Sequence, residues 1–259
     1  MTDTMQRADR LPAIDHAEAM RLTAAENSRL LAQLSGLTDD QWTTLTDCTG
    51  WTVRDVVVHL IASAQAQANP IEFVRQVLAG RPLTKEIGGA HWVDGLNEAQ
   101  LRARTDWSPT TLPELWEQHS AAALKARRRM PAPLRALPVL PIGTGLGVHI
   151  GWQPVGYLFD MGFTRDVWMH RIDIARAAGT EPELTPEHDG RILADIVAEW
   201  SRRHAQPYAL TLTGPAGGDY RAGADNQAGD AQSVDAVEFA ATLSGRVAGN
   251  GILHHKLPL

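Results

Sequence analysis

The segment that most constrains the fold is residues 52–68, where nearly every position in the middle is apolar. Thr52 and Asp55 have the spacing of a capping box, so the sequence predicts a helix over Val53–Ala68. A helix that is apolar on all sides belongs in the interior of a helical assembly. His59 stands in the middle of this helix. Taken alone, it can be a core histidine bonded to a neighbouring group or a ligand, and both readings stay open.

Three further segments have the apolar period and the boundary signals of helices of similar length. They are Ile14–Leu34, Thr111–Met130 and Val155–Ala178. Between them, residues 70–98 are less regular, with a helical patch over Ile71–Ala79 followed by a Gly-rich turn. Four long helices before residue 180 predict a four-helix bundle whose site is built from side chains on facing helices.

The pattern changes after Gly179, which is placed to cap the last of these helices. The segments that follow are a helix from Thr185 to His204, a strand and its return over 208–223, a helix capped by Ser233 and a strand-like C-terminus over 252–259. The sequence therefore predicts an α plus α+β fold. Its domains are a helical bundle over 1–180 and a small mixed domain over 181–259.

Charge and composition exclude several classes of function. The net charge is −6 and no long basic run is present, which argues against nucleic acid or an anionic membrane as a partner. The apolar run 136–159 lacks charged residues, but prolines and glycines interrupt it throughout, so we predict a long ordered loop rather than a membrane span. Arg127, Arg128 and Arg129 are expected to form a solvated helix end.

The cysteine content and the N-terminus favour a cytoplasmic protein. Cys48 is the single cysteine, so no intrachain disulfide can form, which fits a reducing compartment. The first ten residues lack the apolar core of a signal peptide. Nothing basic stands beside Cys48 in the sequence, so a structural thiol is favoured over a nucleophile.

Asp166 and His170 are the first candidates for a site because they stand four residues apart on a predicted helix. That spacing places them on nearly the same face, and both residue types bind divalent metals. The alternative is that Asp166 pairs with Arg165 or Arg171. Asp173 is placed to orient His170 from behind, or to pair with Arg176. His119 is kept as a reserve ligand.

Three motifs together resemble the mycothiol-dependent maleylpyruvate isomerase family, which belongs to the DinB-like group of metal-binding four-helix bundles. They are C-T-G-W-T-V-R-D-V-V-V-H-L, D-V-W-M-H-R-I-D-I-A-R-A-A-G and S-G-R. The resemblance covers nearly the whole chain. It implies a divalent metal, typically zinc, bound by His59, Asp166 and His170. The family commonly has Glu where this chain has Asp166, whose shorter side chain implies a metal closer to that helix or a different metal.

The resemblance also implies an activity. In this family the open metal position receives the thiol of mycothiol, a small thiol of actinobacteria, and the thiolate attacks a small electrophilic substrate. Isomerisation and S-transfer both fit, and Arg246 would bind an anionic group of the substrate or thiol, unless it is a surface arginine. Two other functions stay open: a metal-dependent hydrolase, in which the metal activates water, and a non-catalytic metal-binding regulatory protein.

Overall fold

The protein is described by a computed structural model, which is helix-rich and has a small mixed sheet in its C-terminal part. This architecture confirms the predicted fold class. Within the described part of the chain, no helix is long and apolar enough to cross a membrane. The structure describes residues 5–138, 140–143, 149–223 and 230–259.

The chain divides into two compact units. The first is His16–Pro182, and the second joins Met1–Asp15 to Glu183–Leu259. The division into domains 1–180 and 181–259 stays a prediction. It placed residues 1–15 with the bundle, whereas the structure groups them with the C-terminal residues. No sequence signal predicts this grouping, because the strand Gln6–Arg7 is too short to show an alternation of apolar and polar residues.

Four long helices of the first unit form a bundle. The helices of this unit are α1 His16–Ser35, α2 Asp39–Trp42, α3 Val53–Ala68, α4 Pro70–Glu86, α5 Trp92–Arg102, α6 Leu112–Arg129, α7 Ala132–Arg135 and α8 Phe163–Ala178. In cyclic order α1, α6, α3 and α8 each pack against the next, around a core of aliphatic side chains and tryptophans.

Helix α3 is the central helix, as its apolar composition predicts. Thr52 accepts a hydrogen bond from the backbone N–H of Asp55, and the Asp55 carboxylate accepts one from the N–H of Thr52 at 3.0 Å, which completes the capping box. The helix packs against α4, α5, α6 and α8, and residues 56–64 are all buried. The residue in the middle of this stretch, His59, is thereby held between several helices.

Residues 70–102 differ from the sequence expectation because they form two full helices, α4 and α5. These two helices pack against each other through glycines. A Cβ atom at Gly80 would lie 2.6 Å from the backbone nitrogen of Leu96, and one at Gly95 would overlap the carbonyl oxygen of Gly80. Glycine lowers the local helix propensity, so the sequence alone did not predict these helices. In the structure the missing side chains let the two helices pack closely, which local sequence patterns do not show.

The apolar segment 136–159 also differs from the expected loop. Leu140–Gly143 (β2) pairs antiparallel with His149–Gln153 (β3), while residues 139 and 144–148 lie outside the described part. Pro141 is tolerated in β2 because the strand has a single partner. Helix α8 then begins at Phe163, after a π-helical turn, rather than at Val155.

The second unit is built on a four-stranded mixed sheet with two helices. Its elements are β1 Gln6–Arg7, α9 Arg191–His204, β4 Tyr208–Thr213, β5 Gly218–Ala222, β6 Asp230–Asp235 and α10 Ala236–Leu243. The strand order is β1-β5-β4-β6. Strand β4 pairs antiparallel with β5 and parallel with β6, and β1 pairs parallel with β5.

Two local predictions for this unit are wrong. Ser233 lies in β6, and Asp235 caps α10 instead, because its side chain accepts from the N–H groups of Val237 and Glu238. The C-terminal segment 252–259 is not a strand; Gly251–His254 forms a 3-10 turn. A strand requires a partner edge, which local composition does not supply.

The prediction for Arg127 is also wrong, because its side chain is buried in the bundle rather than solvated at a helix end. It is 3% exposed, and burial, partly offset by Asp160, lowers its pKa to about 10. Its guanidinium donates to the carbonyl oxygens of Phe159 at 2.7 Å and Asp160 at 3.1 Å, and to the hydroxyl of Thr164 at 2.9 Å. These bonds hold the turn that leads into α8.

We expect Arg127→Met to destabilise the protein by about 2–4 kcal/mol, because it leaves buried carbonyl and hydroxyl groups without their donor. Urea unfolding followed by circular dichroism measures the change. Arg128→Met is the matched control, since the neighbouring side chain is exposed and its replacement should shift the free energy of unfolding by less than about 0.5 kcal/mol. Equal effects of the two variants would contradict the role assigned to Arg127.

Candidate metal centre

The bundle brings His59, Asp166 and His170 together, although α3 and α8 are far apart in sequence. Asp166 Oδ2 lies 3.7 Å from His59 Nε2, and Asp166 Oδ1 lies 3.5 Å from His170 Nε2. The candidate ligand atoms of the three residues all lie within 4.8 Å of one another. Both histidines are buried, whereas the Asp166 side chain is 28% exposed, so the group is accessible from the side of Asp166.

These distances fit a divalent ion of zinc type. Ligand atoms about 2.0–2.1 Å from a tetrahedral zinc ion lie about 3.3 Å from each other. The two Asp166 distances, each measured from a different carboxylate oxygen, exceed this by only a few tenths of an ångström. The shorter Asp side chain therefore reaches both imidazoles, and the donor set of two nitrogens and one carboxylate suits zinc and related metals.

His170 is oriented from behind by Asp173, in the position expected from the sequence. Its Nδ1 lies 2.9 Å from Asp173 Oδ2, and Asp173 is fully buried. Burial disfavours a charged ring, but the bonds to Asp173 and Cys48 and the charge of Asp166 prevail and raise the pKa of His170 to about 10. A metal ion at Nε2 would replace a proton there, with Nδ1 still bonded to the carboxylate.

Two of the arginines considered as partners of these acids bond to other acids. Arg171 donates to Glu26 at 2.5 Å, and Arg176 donates to Asp47 at 3.2 Å. Asp173 accepts from His170. The pairing of Asp166 with Arg165 stays open as an alternative.

Sequence reasoning missed two residues that contact the histidines. Cys48 Sγ lies 3.7 Å from His170 Nδ1 and 3.5 Å from Asp173 Oδ2. Gln100 Oε1, on α5, lies 2.8 Å from His59 Nδ1. Cys48 precedes the capped start of α3, which is a signal that could have placed it near the site. Gln100 lies just after the less regular residues 70–98, at a position where no helix was predicted.

The two remaining candidates lie elsewhere. His119 Nε2 is 3.1 Å from Gln65 Nε2, and it lines a separate cleft with Arg104 and Glu72. Among the described residues, the metal-capable group around His59 contains Asp166 and His170 but not His119. Arg246 belongs to the second unit, after α10, where its backbone N–H donates to Ala241; its role in binding stays a prediction.

A small void of about 10 Å³, room for about one water molecule, borders Asp166. Its lining is mixed, with Asn27, Ser63 and Ser120 beside apolar side chains of the bundle. Because Asp166 is the exposed member of the group, a ligand would approach the candidate metal position from the side of Asp166.

The fold and the site define a class: a helical bundle with two histidines and one carboxylate converging in its interior. Residues 23–175 match the family described as the mycothiol maleylpyruvate isomerase N-terminal domain, and this match spans more than half of the 259-residue chain. The chain therefore belongs to the mycothiol maleylpyruvate isomerase family.

Solved structures share the fold. The crystal structure of a mycothiol-dependent maleylpyruvate isomerase is similar to this chain with a TM-score of 0.56 and 20% identity, covering 94% of this chain and 93% of the other. A histidine-to-alanine mutant of a mycothiol-dependent maleylpyruvate isomerase gives the same TM-score and coverage at 21% identity. No curated protein sequence matches significantly.

Proposed function

We propose that the chain is a mycothiol-dependent enzyme in which His59, Asp166 and His170 hold a divalent metal, with zinc the best fit. The observation that carries the proposal is the convergence of two imidazole Nε2 atoms and one carboxylate, each imidazole having its Nδ1 bonded to another residue. Three protein ligands leave one position of a tetrahedral ion for a thiol or water, which is typical of a catalytic zinc.

When bound, the metal would supply a positive charge that lowers the pKa of a coordinated thiol, so that thiolate forms at neutral pH. The chain's own residues have separate tasks. His59 and His170 place neutral nitrogen donors in the buried bundle, and Asp166 adds one negative charge on the open side. The 28% exposure of the Asp166 side chain leaves the candidate metal position open to a small electrophilic substrate from that side.

Two reactions use the same thiolate and differ in what happens to the thiol. In isomerisation the sulfur adds to one carbon of a cis double bond, the resulting single bond rotates, and elimination returns the thiol unchanged. In S-transfer the sulfur displaces a leaving group or opens an epoxide, and one thiol is consumed for each product. We favour isomerisation because the family is described by that activity.

Whether free mycothiol is consumed during turnover distinguishes these reactions. We expect turnover of a cis-configured unsaturated dicarboxylate such as maleylpyruvate with catalytic mycothiol, and no loss of free thiol by titration. Stoichiometric loss with an epoxide or alkyl halide would replace isomerase by S-transferase. Turnover that does not need thiol would favour the metal-dependent hydrolase instead, and metal binding without either activity would favour a regulatory protein.

Arg246 is proposed to bind an anionic group of the substrate or the thiol. We expect Arg246→Ala to raise KM by about tenfold or more, because a charge-assisted hydrogen bond is lost, while metal content stays unchanged. Arg246→Lys should recover part of the loss, since it keeps the charge but not the bidentate geometry. Steady-state kinetics provide the measurement, and unchanged KM and kcat in Arg246→Ala would remove this residue from the proposal.

A further inference from the structure

We infer that Gln100, held by Gln76 and ultimately by Glu72, fixes the tautomer and orientation of His59 so that its Nε2 lone pair points at the metal position. Gln100 is thus a positioning residue. The inference rests on the proposed metal function for its purpose, but the hydrogen bonds that carry it are present in the protein by itself.

The direction of the hydrogen bonds follows from groups that can only accept. Gln76 Nε2 lies 2.8 Å from Glu72 Oε1 and 3.0 Å from the carbonyl oxygen of Ala62, so the amide nitrogen donates to both. Gln76 therefore has its Oε1 left for Gln100, whose Nε2 donates to it at 2.8 Å. An amide orientation is ordinarily ambiguous, but here two obligate acceptors determine it.

The direction of the Gln100–Gln76 hydrogen bond also determines the hydrogen bond between Gln100 and His59. Because the Nε2 of Gln100 is turned toward Gln76, its Oε1 faces His59 Nδ1 at a distance of 2.8 Å. A carbonyl oxygen only accepts, so Nδ1 carries the hydrogen, and in the neutral ring Nε2 carries the lone pair. This Nε2 is the atom that lies 3.7 Å from Asp166.

Glu72 is the acceptor at the end of this chain of hydrogen bonds, and two arginines hold its carboxylate in place. Arg75 donates to both of its oxygens at 2.6 Å, and Arg104 donates to Oε1 at 3.1 Å. The bond from Arg75, opposed by burial and assisted by Gln76, lowers the pKa of Glu72 to about 2. Glu72 therefore remains an acceptor at neutral pH. Gln76 and Gln100 are each 2% exposed, so water does not compete freely for their bonds.

The two histidines are thus positioned by different chemistry. His170 is backed by the carboxylate of Asp173, whereas His59 is backed by a neutral amide. An amide orients the ring without adding a further negative charge beside Asp166 and Asp173. A partner behind a ligating histidine typically changes metal affinity by about 10–100-fold when it is removed.

The first test is made on the metal-free protein. Long-range ¹H–¹⁵N NMR of the His59 ring, recorded where the ring is neutral, distinguishes the two tautomers. We expect the Nδ1–H form in the native protein and in Gln100→Glu, whose carboxylate still accepts, and a mixture of forms in Gln100→Leu. An Nε2–H form in the native protein would overturn the inference, whatever the result for metal.

The second test measures Zn²⁺ affinity by competition with a chelator, and the Co²⁺ absorption spectrum. Gln100→Leu should weaken Zn²⁺ binding by about 10–100-fold and alter the Co²⁺ bands, with Gln100→Glu closer to the native protein. Gln65→Leu is the matched control: this glutamine lies on α3, as His59 does, and it bonds to Arg104 and His119 rather than to Gln76 or Gln100. It should change the affinity by less than about twofold.

Gln76→Leu provides a variant that leaves the contact with His59 in place. It should weaken Zn²⁺ binding less than Gln100→Leu, and the double variant should be no weaker than Gln100→Leu alone, because Gln76 acts only through Gln100. Additive losses, or native affinity in Gln100→Leu, would overturn the inference. Failure of the native protein to bind Zn²⁺ would instead refute the proposed function, and the NMR tautomer would still decide the role of Gln100.

Discussion

His59→Ala is expected to abolish stoichiometric metal binding. The substitution leaves Asp166 and His170 on one helix with no donor from α3, and two protein ligands do not retain a zinc ion against dilution and dialysis. The affinity should fall by more than about a thousandfold, which corresponds to about 4 kcal/mol. Elemental analysis of protein purified without chelator, with chelator competition, measures the loss.

His119→Ala is the control for this experiment. His119 is also a bundle histidine, on α6, but it lies against Gln65 in a separate cleft and outside the group around His59. Its replacement should leave metal content unchanged. If His59→Ala retained one metal per chain with native affinity, or if His119→Ala lost it, the ligand assignment would have to be replaced.

The second large effect concerns the thiol. In the Co²⁺-substituted protein, mycothiol should produce a sulfur-to-metal charge-transfer band in the near ultraviolet, because a metal with an open position accepts thiolate, in zinc at about 2.3 Å. Glutathione at the same concentration should give a much weaker band. Thiol binding should also release a proton, which calorimetry in buffers of different ionisation enthalpy detects.

Asp166→Asn tests whether the charge-transfer band depends on the proposed carboxylate ligand. It removes the charge at the open side while keeping an oxygen in nearly the same place, so metal affinity should fall and the band should weaken with it. A native metal content with no band and no proton release on adding mycothiol would contradict thiol activation. The hydrolase or the regulatory protein would then be the better account.

The exposure of Asp166 explains why the open side matters for either reaction. Both histidines are buried, whereas the Asp166 side chain is 28% exposed. A metal held by the proposed ligands would therefore have its remaining position on the side that solutes can reach.

Much of the fold could be predicted from the sequence because local chemistry decides it. The capping box at Thr52 and Asp55 and the apolar run behind it specify a buried helix with His59 at its centre, and the structure confirms that helix. Gly179 ends α8 with a φ of 66°, a left-handed conformation that glycine adopts at little cost. The four-residue spacing of Asp166 and His170 likewise places them on one face.

The tertiary structure alone decided what surrounds those residues. Cys48 reaches His170 across 122 positions, Gln100 reaches His59 across 41, and Arg127 is buried by the turn before α8. Periods of 3.6 and caps act within one or two helical turns, so they leave a visible pattern in the sequence. Hydrogen bonds between distant helices depend on how the helices pack, and no local pattern in the sequence records them.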